Sequence, residues 1–181
     1  MQRICRLVLF ALLAPLVAAA QHQHSPYAGQ QRRSLKALSP AEIQMYHEGH
    51  GMGLAKAAEL NHYPGPKHVL ELAQQLELSA AQSAQTQKAY DKMHAQAVRL
   101  GKLIVANEQA LDSLFAAQKI TASQLRTLVT AIATWQGELR LTHLQAHLEM
   151  KEILSSAQVA KYDELRGYAK GAPPQHHQKM H

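Results

Sequence analysis

The sequence predicts an all-α protein built on a long antiparallel helical hairpin with additional short helices around it. Three observations lead there. Ser39/Glu42, Ser79/Gln82, Thr121/Gln124 and Ser155/Gln158 each place a hydroxyl three residues before a Glu or Gln, the reciprocal capping box that opens a helix. Two long stretches after Ser79 and Thr121 repeat their apolar residues at 3-4 spacing. No segment alternates with period two, and β-branched residues are few, so strands are not expected.

The elements follow in order. Pro40, at the first position after Ser39, starts a short helix over about 40–48. Gly49-His50-Gly51-Met52-Gly53 turns the chain, and a second short helix runs to about Asn61. His62-Tyr63-Pro64-Gly65-Pro66 breaks it again before a third helix over 67–76. The long helices occupy about 80–117 and 122–153, and a last helix covers 156 to Tyr168. Large apolar residues precede every box (Leu38, Leu78, Ile120, Leu154). Ile43, Leu125 and Val159 complete a hydrophobic staple at three of the four, and Ser83 leaves the second without one.

The facing seams are Tyr90, Met93, Ala97, Leu100, Ile104, Asn107, Leu111 and Leu114 in the first long helix. In the second they are Leu125, Leu128, Ile132, Trp135, Leu139, Thr142, Ala146 and Ile153. A tight turn sets residues whose numbers add to about 240 level with each other, so Gly101 is expected to make room for Leu139 and Trp135. Glu108 in the seam is expected to pair with Gln136 or Arg140, and Asn107 to act as a register or oligomer device. Leu141, Leu144 and Leu148 form a second apolar stripe away from the seam. That stripe calls for cover by the short helices or by a second copy, and a homodimer is expected.

Arg3 and Arg6, the apolar run Leu7–Val17 and Ala18-Ala19-Ala20 read as a secretory signal over residues 1–20. The run is too short, and too broken by Pro15, to span a bilayer, so no membrane insertion is expected after cleavage and the location read is periplasmic. The single cysteine, Cys5, lies in that segment, which leaves the remainder without thiol or disulfide. Residues 21–38 and 169–181 are polar and aperiodic and read as a flexible segment and a disordered His-rich tail around a domain at 39–168. Taking Arg3 and Arg6 from 19 basic residues leaves 17 against 13 acids, a formal charge of +4. The basic residues are scattered and lack interleaved aromatics, which argues against a nucleic-acid partner. Histidine is the outlier, with 12 residues, all after the signal.

Leu78-Ser-Ala-Ala-Gln82 and Leu154-Ser-Ser-Ala-Gln158 resemble the paired LTxxQ motif of the Spy/CpxP family of periplasmic proteins, with Ser in place of Thr in both copies. Val159-Ala-Lys-Tyr162-Asp-Glu-Leu165 extends the likeness, which covers about 67–168. The resemblance implies a Spy/CpxP-like hairpin. The functions it implies are ATP-independent chaperoning of unfolded proteins, envelope-stress regulation, or heavy-metal sensing of the CnrX-like kind, with a membrane-bound regulator as a possible partner. Residues 49–66 fall outside the motif and receive no role from it.

His143 and His147 stand one helical turn apart, the spacing at which two imidazoles reach one ion. The register places Met93 and His94 opposite them. Imidazoles with a thioether suit copper, nickel, cobalt or zinc rather than calcium or magnesium. The plainer reading makes His143 a hydrogen-bonded core residue and His94 and His147 surface residues. Metal ligands of the CnrX-like sensors come from an early helix as well, and the resemblance points to His47 and His50 for that part, unless Gly49 interrupts the helix between them. A solvated turn is the plainer reading there. The terminal histidines His22, His24, His176, His177 and His181 are either weak scavengers of metal or solvating tails. No nucleophile–base pair, phosphate loop or HExxH is present, so no enzyme is expected.

Overall fold

The computed structural model describes residues 25–169. The chain divides after Arg32. Before that point, a turn in which Ala28 N–H donates to the Ser25 carbonyl at 2.8 Å leads into a 3-10 helix, Gln30–Arg32. The larger unit is all-α. Its helices are α1 (Pro40–His47), α2 (Lys56–Glu59), α3 (Pro66–Glu71), α4 (Ala80–Ala116), α5 (Ala122–Ile153) and α6 (Ser156–Arg166). None of them is long and apolar enough to cross a membrane. Residues 1–24 and 170–181, where the sequence reading places a signal and most of a tail, lie outside the described residues.

All four capping boxes form, each with the hydroxyl accepting from the third helical N–H and the Glu or Gln accepting from the cap N–H. Two of them also clasp each other. Gln82 Nε2 donates to the Ile153 carbonyl at 2.9 Å and to Gln158 Oε1 at 2.8 Å, and Gln158 Nε2 donates to the Leu76 carbonyl at 3.1 Å. One side chain thereby satisfies its own helix start and an orphan carbonyl at another element's end. The third helix is shorter than the 67–76 expected. After Glu71 the chain continues as turns to Glu77, which takes a left-handed φ of 51°.

α4 and α5 run antiparallel: Lys92 Nζ pairs with Glu149 Oε1 at 2.8 Å near the base, while residues 117–121 join their far ends. Two apolar clusters lie along them. Near the base Val69, Leu76, Ala89, Met150, Leu154, Val159 and Tyr162 pack together; further along are Ala97, Leu100, Ile104 and Leu139 with Tyr46, Leu54 and Trp135. Leu154 and Val159 share the first cluster, so that staple holds a core together.

Four expectations change. Gly101 makes room for α1 rather than for Trp135, because a methyl there would overlap the Tyr46 carbonyl. His143 is the buried member of its turn, whereas Thr142 is half-buried and donates to the Glu138 carbonyl of its own helix at 2.8 Å. Glu108 has no hydrogen bond or ion pair among the described residues, and half-burial raises its pKa. Asn107 donates to the Leu103 carbonyl at 2.8 Å, a bond within its own helix. The segment before α1 is also more ordered than its composition suggests: Leu35 is buried and Lys36 Nζ reaches Asp112 Oδ2 at 3.0 Å.

Candidate metal centre

The buried face of α5 is apolar except at one turn. Ile132, Leu139, Ala146 and Met150 flank His143 and His147, which are 4% and 7% exposed. Across from them α4 buries Met93 and Ala97 and half-buries His94. The remaining wall is the segment for which the sequence offers no role. Gly49 lies against Ala97 and Val98 of α4, Gly51 turns beside His143, and Tyr63 and Gly65 pass beside His147.

The backbone comes close to both rings, and at Gly65 closely enough to favour glycine. A Cβ at Gly65 would stand 3.0 Å from the His147 ring, and one at Gly51 would touch the His143 ring at 3.8 Å. Between these walls lies a cavity of about 520 Å³, into which His50, His94, His143, His147, Met45, Met52, Met93, Glu48 and Glu59 all contribute.

Backbone carbonyls fix two of the imidazoles. His147 Nδ1 lies 2.7 Å from the Tyr63 carbonyl, which can only accept, so Nδ1 carries a proton and the neutral tautomer keeps its lone pair on Nε2. His94 Nε2 lies 3.0 Å from the Glu48 carbonyl, which by the same logic leaves the lone pair on Nδ1, and its ring stacks on Tyr90. Such a bond on the far nitrogen is how ligating imidazoles are held and made more basic. His143 differs: its Nε2 is buried without any partner. Burial first, then the neighbouring His147 and His94, pushes its pKa down to about 4, so the ring is neutral at physiological pH.

The early histidines separate. α1 ends at His47, and Gly49 turns the chain with φ of 65°, so the i, i+3 pair does not share a helix face. His50 lines the cavity with Nε2 3.1 Å from Glu48 Oε2; His47 is exposed and does not line it. Among the described residues, no three His, Cys, Asp or Glu side chains converge as a preformed ligand set. Together His143, His147, His94 and Met93 keep the placement the register gives them, and the cavity supplies further thioethers at Met45 and Met52.

Sequence reasoning misses Glu59. Its carboxylate, nearly buried, accepts from Tyr162 Oη at 2.6 Å and Tyr168 Oη at 3.2 Å, and it lies 3.4 Å from Arg166 Nε and 3.7 Å from His147 Nδ1. Burial and the Glu59 carboxylate hold the Tyr162 phenol far above its ordinary range. Alongside, Asp163 Oδ2 pairs with His62 Nδ1 at 2.7 Å. No spacing signal could join Glu59 to Tyr162, which lies 103 positions away. Compared with protein-family models, curated proteins and solved structures, the chain matches none.

Proposed function

We propose that this chain is an exported, non-enzymatic binder of a transition-metal ion, a Spy/CpxP-like hairpin that works in periplasmic metal tolerance or sensing and envelope stress. One observation carries the reading. A neutral, buried imidazole, His143, has a bare nitrogen beside two imidazoles whose far nitrogens are pinned by backbone carbonyls. An unpaired buried polar atom costs stability of roughly 1–3 kcal/mol, and a ligand that uses the ring recovers it. The ion would be copper, nickel, cobalt or zinc, held by members of the set His143, His147, His94, His50 and Met93, and the nearby turn would carry occupancy to a regulator.

The test uses the chain from Gln21 with His22, His24, His176, His177 and His181 replaced by Asn, so that only the cavity contributes. Calorimetric titration is expected to show one ion per subunit, and His143→Ala with His147→Ala to abolish it. No saturable binding, or an unaffected double variant, overturns the proposal.

A specific observation favours a second reading, a holdase for unfolded clients that also pairs with its own copy. Leu141 and Leu148 are 46% and 56% exposed on one side of α5, and Phe115, Leu125 and Val129 are exposed near the far end of the long helices. Leu144 is half-buried, so Leu141→Glu with Leu148→Glu is the cleaner probe. Sedimentation that shows a wild-type monomer removes the dimer, and undiminished aggregation of a denatured client removes the holdase.

A further inference from the structure

We infer that the cavity is built for a soft monovalent ion, Cu(I), held by the His143 imidazole together with the thioethers of Met52 and Met93. This deepens the metal reading above and rests on it.

The donor set argues for it first. A borderline divalent ion such as Zn(II) or Ni(II) asks for several nitrogen, carboxylate or thiolate donors, and no three such side chains converge among the described residues. Thioethers line this cavity beside the imidazoles. Four methionines lie among the described residues, and Met45, Met52 and Met93 line this cavity while Met150 fills the core. Thioether sulfur has little affinity for hard or borderline divalent ions and selects Cu(I).

Charge points the same way. His143 and the thioethers are neutral, so the ion's whole charge enters a largely buried place. Solvation cost grows with the square of the charge, which makes a divalent ion about four times as costly there as a monovalent one. Glu59 Oε1 is taken up by Tyr162, Tyr168 and Arg166, and the Arg166 guanidinium already balances the charge of this carboxylate.

The third argument is the backbone. Met52 takes a φ of 46°, the left-handed region where residues other than glycine are strained by roughly 1–3 kcal/mol, and it sits between two glycines that could have taken that place more easily. Its neighbour Gly51 is the residue that faces the His143 ring, so the strained turn carries a thioether to the mouth of the histidine pocket. Met52 also borders the adjoining groove lined by Leu54, Leu60 and Arg140. Core packing explains Met150, but it does not explain a strained methionine on a glycine turn.

The experiment uses the chain from Gln21 with the five tail histidines replaced by Asn and Met180 by Leu. Cu(I) is delivered anaerobically in competition with a chromogenic Cu(I) chelator, and Zn(II) and Ni(II) are titrated in parallel. The expected result is one Cu(I) per subunit, bound about 100-fold more tightly than Zn(II), with sulfur in the X-ray absorption fine structure of the bound copper. Met52→Leu with Met93→Leu keeps side-chain volume and so should keep the fold, checked by circular dichroism. It should weaken Cu(I) by at least about 30-fold and leave any Zn(II) affinity unchanged. Saturable Zn(II) or Ni(II) binding without Cu(I) binding overturns this inference and leaves the metal reading standing. So does Cu(I) binding that the methionine variant retains. No binding of any of the three ions overturns both.

Discussion

The two ends of the α4–α5 pair carry the same apolar pattern and meet different fates. At the base, α1, α3, α6 and the glycine turns lie over the seam, and Leu100, Ile104, Leu139 and Met150 lose nearly all contact with water. At the far end, apart from the Lys36–Asp112 ion pair, cover is thin: the seam residue Leu125 is exposed and Leu111, Leu114 and Leu128 are only half-buried, although they keep the same spacing. Periodicity reports which side of a helix is apolar; burial depends on what else arrives there. The polar groups divide likewise. At the base half-buried side chains interlock across distant parts of the chain, whereas the far end has the local Thr121/Gln124 box, the local Thr127–Ser123 bond and one Lys36–Asp112 ion pair.

The largest expected effect sharpens this contrast directly. Leu100→Ala should cost roughly 2–5 kcal/mol in urea unfolding, because the cavity it leaves is enclosed on every side. Leu125→Ala should cost less than about 1 kcal/mol, since its side chain is already partly in water. Equal costs would mean that the far end is covered in solution, and the contrast between the ends would fail.

The next effect is a pH dependence confined to the base. The folded pKa of His143 lies near 4, below its ordinary 6.5. The unfolded chain therefore takes up the proton first, so the contribution is complete above pH 6.5 and is lost as pH falls towards 4. A shift of this size corresponds to about 3 kcal/mol. His143→Leu should flatten that part of the stability profile. A variant with the same slope as the wild type between pH 6.5 and 4 would assign the loss to other groups.

The smallest effect separates the capping boxes. Gln158→Ala removes a local cap and the bonds to Leu76 and Gln82, whereas Gln124→Ala removes a local cap alone. Thermal or urea unfolding should find the first costlier by about 1 kcal/mol. If the two cost the same, the clasp at the base adds nothing beyond the caps.

The sequence by itself determined the helices and where they begin. A capping box is a bond between neighbours three residues apart, so its geometry is written in the chain, and all four form. It also placed His143 and His147 on one wall with Met93 and His94 across from them, because a tight turn between two long helices fixes their register. The tertiary structure alone decided what faces that wall. Gly101 yields to the backbone of α1, Gln82 meets Gln158, Glu59 gathers two tyrosines and an arginine from the far end of the chain, and the 49–66 segment closes over the histidines. Apart from the Gln82–Gln158 contact, these depend on the direction in which a short helix leaves a glycine or proline turn. That direction is settled by which packing excludes most water, a property of the assembled fold that no local spacing encodes.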